Sequence, residues 1–250
     1  MKTQWDYTEL ADAYLERPEY AHGALEELFQ IASLSPGSKV CDIGAGVGHL
    51  TLPLAAKGYT VVAVEPNNAM RANGMKRTAD NPNVSWIEAL GDNTGLPSES
   101  FDYVSFGSSF NVLDRSAALK ETHRILKPSK WFACLWNHRN LDDPVQMEIE
   151  AIIKRHVPDY GYGTRREDQT AIIKESSLFE DVRFVTGTIS HKQTVEQVVE
   201  AWRSHATLHR QAQAAFPVII RDIDIYLRSL KKPDISVPYT TRAWTARRSG

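Results

Sequence analysis

Cysteine is scarce in this chain, with two residues, Cys41 and Cys134, among 250. A disulfide scaffold or a structural zinc site draws on more thiols at shorter spacing. Both thiols sit in apolar runs and read as free core residues. No charge of one sign prevails: 29 Lys and Arg stand against 31 Asp and Glu, a formal net charge of −2. Binding that rests on many phosphate contacts demands a clustered basic surface, so a nucleic-acid partner is not expected. Arg242, Arg247 and Arg248 read as a solvated end. Long hydrophobic runs are missing as well. No segment approaches the ~20 apolar residues that cross a bilayer, and Met1-Lys2-Thr3-Gln4-Trp5-Asp6 is polar rather than signal-like. A cytoplasmic protein with no membrane partner is expected, as a monomer or a homodimer. Internal repeats and low-complexity tracts are absent too, which removes solenoids and arrays.

What is present reads as one α/β domain. Helical spacing runs from Tyr7 to Ile31, interrupted at Pro18. Lys39 to Ile43 is a short apolar strand that leads into the turn Gly44-Ala45-Gly46-Val47-Gly48. His49 to Lys57 then reads as a helix ended by Gly58. The β-branched run Thr60 to Val64 has the pattern of a strand buried on both faces. It closes on Glu65-Pro66, and Asn67 caps a helix from Asn68 to about Thr78. Further strands are predicted at Val84–Glu88, Asp102–Phe106, Trp131–Trp136, Val182–Ile189 and Val237–Ala246. Helices are predicted at 117–126, 145–156 and 169–176, with helical segments over 195–230 broken near Pro217. Alternating strands and helices indicate a parallel sheet whose ligands gather along one edge. The expected fold is a Rossmann-like, seven-stranded, mostly parallel sheet, helices on both faces, with a helical cap inserted late. Residues 1–137 would form the N-terminal helices and cofactor-binding core. Residues 138–250 would complete the sheet and carry the cap, all within one structural domain.

The stretch Asp42-Ile43-Gly44-Ala45-Gly46-Val47-Gly48 carries the chemistry. Glycines after a first strand let the backbone approach a ligand without Cβ interference, and the helix that follows presents free N–H groups. A dinucleotide fingerprint needs its third small residue one position later, where this chain has His49. Asp42 would repel a pyrophosphate and suits a cationic ammonium or sulfonium. Glu65, at the end of the second strand, can accept both hydroxyls of a ribose. These segments, with Gly91-Asp92-Asn93-Thr94-Gly95-Leu96-Pro97, Phe101-Asp102-Tyr103-Val104, Glu121 and Arg124-Ile125-Leu126-Lys127-Pro128, resemble the class I S-adenosylmethionine-dependent methyltransferase superfamily. Within it they are similar to the small-molecule branch called type 11, collinearly from about Tyr7 to Trp136.

The resemblance implies S-adenosylmethionine as cofactor and S-adenosylhomocysteine as product. Asp42 and Gly44, with Gly46 and Gly48 in the same loop, would hold the methionine moiety. Glu65 and Pro66 would take the ribose and Asp92 and Asn93 the adenine, whose face Met70 would cover. Ser108 would meet the cofactor from the fourth strand, and Tyr14 and Arg17 would cover its methionine end. Two departures stand out. Ser129 and Lys130 replace a glycine pair common in the family, and Asn111-Val112 replaces a His-Trp pair.

The catalytic group is less marked. His138, after the fifth strand, is a candidate base or a backbone-bonded loop histidine; Asn111 is a candidate to orient an acceptor or a loop cap. His205 and His209, four apart, lack a Cys or carboxylate partner, so no metal is expected. Arg165 and Arg166 are candidates to meet an anion, or exposed loop residues. Trp136 and Trp202 are candidates to stack a planar substrate. The chain lacks the tetrapeptide of DNA amino-methylating enzymes, a Pro-Cys nucleophile, paired glutamates and an acidic magnesium trio. The reading that remains is metal-independent, in-line transfer of a methyl group to an O, N or C atom of a small metabolite. An NAD-dependent oxidoreductase and a non-catalytic adenosyl-binding protein stand as alternatives.

Overall fold

The computed structural model describes residues 8–162 and 166–250. Among them are seven strands: β1 (Lys39–Ile43), β2 (Thr60–Val64), β3 (Val84–Ile87), β4 (Phe101–Gly107), β5 (Leu126–Arg139), β6 (Phe179–Gln193) and β7 (Ile235–Arg248). They form one sheet in the order β3-β2-β1-β4-β5-β7-β6, and β7 runs antiparallel to both of its neighbours. This is the expected mostly parallel, Rossmann-like sheet.

Buried residues on both faces of the central strands β1, β4 and β5 explain why helices cover the sheet on two sides. In β5, Trp131, Ala133 and Leu135 pack with α1 (His22–Ile31) and α2 (Thr51–Ala56). Phe132, Cys134 and Trp136 alternate with them and pack with α4 (Arg115–Ile125) and α6 (Thr170–Glu175) on the opposite face. Cys41 and Cys134 are buried free thiols of that second layer. Beside β3, helix α3 (Asn68–Arg77) lies so close that a Cβ on Gly74 would stand 2.1 Å from the Trp86 ring. The Trp86 indole N–H donates to Thr78 Oγ1 at 2.9 Å.

A third apolar cluster belongs to the cap. Helices α5 (Pro144–His156), α7 (Val195–Arg203), α8 (Ala206–Ala212) and α9 (Phe216–Ser229) pack there on Ile235, Val237 and Tyr239 of β7. Among the described residues no helix is long and apolar enough to cross a membrane.

Several boundaries differ from the sequence-based expectation. Before Pro18, within the described residues, the chain forms only two 3-10 turns, Thr8–Leu10 and Ala13–Glu16. Pro217 does not break the late helices; it occupies the first turn of α9, where a missing N–H costs nothing. The breaks fall at Ser204–His205 and Gln213–Ala215. Strand β5 starts five residues early because Leu126 already pairs with Phe101, and Ser129 takes a left-handed φ of +59° in the irregular stretch before Trp131. Strands β6 and β7 outrun their apolar cores because each extends along the other from Phe179–Arg248 to Gln193–Ile235.

Candidate active site

Strand β1 has β2 on one side and β4 on the other, so successive connections leave it in opposite directions. Ligands of open α/β sheets bind beyond the strand ends at such a point. A cleft opens there with about 1560 Å³ of empty space, its solvent-open part included.

The glycine turn forms one wall. Gly44 sits at φ +66° and donates its N–H to Val64 O at 2.8 Å. A Cβ there would fall 2.4 Å from Ser109 Cβ, an approach open only to glycine. Ser109 Oγ in turn donates to Ile43 O at 2.5 Å, tying the end of β4 to the end of β1. Across the turn, Glu65 accepts from the N–H groups of Gly46 and Asn67, both at 2.8 Å. Two bonds leave acceptor capacity on both oxygens. Burial pushes the Glu65 pKa up, and these two bonds and Arg71 oppose it.

Asp42 is fully buried in the cleft wall, with Thr51 Oγ1 donating at 2.7 Å and Ser105 Oγ at 3.1 Å. Burial pushes its pKa up to about 6, against those two hydroxyl bonds. Met70 lines the same end and packs with Ala11, Val47 and Tyr14. His49 Nε2 lies 2.7 Å from Tyr14 O and must donate to it, so burial, which holds its pKa down to about 4, keeps the ring neutral.

The N-terminal segment straps the glycine loop to the cap. The Arg17 guanidinium stacks 3.7 Å from the Tyr14 ring centroid and donates to Ser204 O, at the end of α7, at 2.9 Å. Glu16 accepts from Gln197 Nε2 at 3.1 Å. Asn137 holds the next turn, donating to Glu19 O at 2.6 Å. The strap is therefore a local segment pinned to the glycine loop, α7, β5 and β6. We expect Arg17→Ala to release one charged hydrogen bond, worth about 1.5 kcal/mol. Amide exchange at Leu15 and Arg17 should then accelerate roughly tenfold while the sheet amides keep their protection. Equal acceleration in β1 and β4 would show that the strap is not separable from the fold.

The far end is built by β4, β5 and the cap. Ser108 takes φ +62° and its Oγ lies 3.1 Å from the Tyr20 hydroxyl. His138, Arg139, Tyr162, Arg166, His205 and Tyr239 complete that wall. His205 caps α8, its Nδ1 accepting from Leu208 N at 3.2 Å, so the neutral ring carries its proton on Nε2.

Of the fourteen residues to which the sequence assigns a cofactor or catalytic role, ten line this one cleft: Tyr14, Arg17, Asp42, Gly44, Gly46, Glu65, Pro66, Met70, Ser108 and His138. Four do not. Gly48 shapes the turn from behind, at φ +87°. Asp92 and Asn93 are exposed beside the rim residues Leu90 and Gly91. Asn111 does not line the cleft, and its Oδ1 accepts from the Trp136 indole at 2.8 Å. Trp136 and Trp202 are both buried in apolar clusters and neither lines the cleft. His209 packs on Phe216, away from His205's wall. Arg165 lies outside the described residues, whereas Arg166 lines the cleft. Sequence reasoning missed Arg139, Tyr162 and Tyr239. Arg139 had one available signal, its place at the ligand end of β5 directly after His138.

Comparison with known proteins places these features. Residues 41–134 match the family described as methyltransferase domain. An uncharacterised methyltransferase of Schizosaccharomyces pombe is 32% identical over 138 residues, 55% of this chain and 54% of that protein. The demethylmenaquinone methyltransferase of Staphylococcus saprophyticus is 37% identical over 109 residues, 41% of this chain and 46% of its own. The chain spans about half the length of the curated relatives it matches. Among solved structures, a phosphoethanolamine N-methyltransferase of Haemonchus contortus in complex with S-adenosyl-L-methionine aligns with TM-score 0.57 at 17% identity, covering 100% of this chain and 59% of that one. The YcgJ protein of Bacillus subtilis aligns with TM-score 0.57 at 16% identity over 92% and 99%. Likeness at this identity concerns the fold.

Proposed function

We propose that the protein, whose residues 41–134 match the family described as methyltransferase domain, is a class I S-adenosylmethionine-dependent methyltransferase of type 11 that transfers a methyl group from S-adenosylmethionine to a small metabolite in its cleft. The observation that carries the reading is the pairing of a glycine turn with two buried acids, Asp42 and Glu65, at the point where the sheet order diverges. A cationic amino-acid end and a ribose diol suit that donor set; a pyrophosphate does not.

In this reading Glu65, in the turn with Pro66, takes the ribose hydroxyls with its spare lone pairs, and Met70 covers the base. Asp42 supplies negative charge beneath the ammonium, and Asp92 and Asn93 reach the adenine from the rim. The bound cofactor supplies an electrophilic methyl group on a sulfonium. What the chain adds is positioning: holding acceptor and methyl in line is worth several kcal/mol by itself. Tyr14, Arg17 and Tyr20 exclude water along the strap. Where the acceptor is a hydroxyl or an amine, His138 receives its proton. No metal enters this scheme. Residues 1–137 serve the cofactor and 138–250 the acceptor; that division crosses β5, so one strand carries both tasks. A cytoplasmic location belongs to the same reading.

Titration calorimetry tests it. S-adenosylmethionine and S-adenosylhomocysteine should bind and NAD should give no heat. Glu65→Ala should weaken adenosyl binding roughly 10- to 100-fold, the worth of two hydrogen bonds to a charged group. Heat from NAD alone would sink the proposal in favour of an oxidoreductase.

A further inference from the structure

Charge is divided along the cleft. The carboxylates of its wall, Asp42 and Glu65, sit at the glycine turn, whereas the arginines sit toward the cap. Arg17 is committed to Tyr14 and Ser204. Arg139 and Arg166 are disposed differently. The Arg139 guanidinium lies 4.1 Å from the Trp202 ring and 5.6 Å from Tyr239. The Arg166 guanidinium lies 4.1 Å from the Tyr162 ring and donates one N–H to Arg139 O at 3.1 Å. Stacking occupies the faces of a guanidinium and leaves its N–H edge, the part that matches an oxyanion fork to fork.

Among the described residues neither arginine has a carboxylate partner, although Arg71, Arg124, Arg228 and Arg248 all do. The Arg166 Nε is buried and makes no hydrogen bond. Glu150, whose charge Arg166 feels, is held by Lys154 at 3.0 Å. A partly buried cation without a counterion is costly unless something else supplies the negative charge. Two such cations in one wall, 27 positions apart in sequence and joined by a hydrogen bond, are poorly explained by packing alone.

We propose that this end of the cleft is an oxyanion subsite, in which Arg139 and Arg166 receive a carboxylate or phosphate group of the methyl acceptor. The inference rests on the cofactor reading above for the word acceptor, and the subsite itself rests on the two guanidinium groups. The acceptor is thus an anionic metabolite, and the arginines set its orientation by fixing the end remote from the methyl. They are specificity-determining and positioning residues; they take no part in the displacement.

The test uses the full chain saturated with S-adenosylhomocysteine, titrated with benzoate, phenyl phosphate and neutral benzamide. At least one anion should bind ten times more tightly than benzamide, and which one names the group. Arg166→Gln and Arg139→Gln should each remove at least tenfold of that affinity, leaving the S-adenosylhomocysteine affinity within twofold. Arg166→Lys, which keeps the charge and loses the fork, should fall between. If Arg139→Gln melts early, the two Arg166 variants decide. Equal binding of benzamide, no binding of either anion, or unchanged anion affinity in the well-folded variants would overturn the subsite. Should the wild type fail to bind S-adenosylhomocysteine, the cofactor reading fails, and the same anion titration on the ligand-free protein judges the subsite independently.

Discussion

Gly44→Ala is expected to destabilise the fold by about 2–4 kcal/mol and to weaken adenosyl binding on the order of 100-fold. Two costs add. An alanine at φ +66° carries the strain of a left-handed residue, roughly 1 kcal/mol or more. Its Cβ would also meet Ser109 Cβ at 2.4 Å, and overpacking of that kind costs about 1–3 kcal/mol. Relief comes only if the turn or the end of β4 moves, and a shift of about 1 Å at a reacting geometry can cost 100-fold. Gly37→Ala is the control. It has a similar φ of +86° with nothing within 4 Å, so it should show the strain and no clash. The double variant with Ser109→Gly removes the atom that is struck and should recover most of the binding. Full binding by Gly44→Ala alone would refute the idea that this turn must lie so close to β4.

Asp42→Asn should raise stability at neutral pH and lower adenosyl affinity. Asp42 has its pKa pushed up to about 6 by burial, from an unfolded value near 3.8. Between those values the native state holds a proton that the unfolded chain has lost, so its contribution falls as pH rises and is lowest above pH 6. Two units correspond to about 3 kcal/mol. His49 works in the opposite sense. Its pKa is held at about 4 against 6.5 unfolded, so its contribution is full above pH 6.5 and is lost as pH falls toward 4. The two slopes nearly cancel between pH 4 and 6. Denaturant unfolding across that range should therefore show the stability of Asp42→Asn, relative to wild type, climbing by about 3 kcal/mol from pH 4 to 6 and then levelling. His49→Gln should show the reverse slope. The asparagine keeps both bonds because the Thr51 and Ser105 hydroxyls can turn to suit it. A flat difference curve for Asp42→Asn would mean that its carboxylate is solvated in the native state.

Local chemistry was most legible where the chain's own neighbours determine the outcome. Strands β1 and β2 occupy the residues expected of them because β-branched and apolar runs buried on both faces leave little choice. Asn67 caps α3 as its residue type suggests, accepting from Ala69 and Met70 N–H at 3.0 Å each. The glycine turn and Glu65 followed from the same locality, whereas Met70 came with the family resemblance. Features decided across the sheet were hidden. The length of β6 depends on β7, some 55 residues on, and polar residues such as Glu180 and Lys192 carry no sign of that pairing. Trp136 looked like a cleft residue because it lies near the ligand end of β5. Its side chain instead faces α4 and α6, and its indole donates to Asn111 Oδ1. Arg139 and Arg166 meet only because the strand end and the loop before α6 converge, which no spacing rule expresses.

The late position of β7 has a consequence for how the molecule is made. Strand β7 lies between β5 and β6, so neither can complete its pairing before Ile235 to Arg248 exists. Ninety-six positions separate Arg139 from Ile235. At typical synthesis rates that is roughly 5–20 s during which a nascent β5 offers a long open edge. A ribosome that stalls in this window would hold a half-built sheet primed for pairing with foreign strands, so this stretch of translation is where a chaperone would matter most.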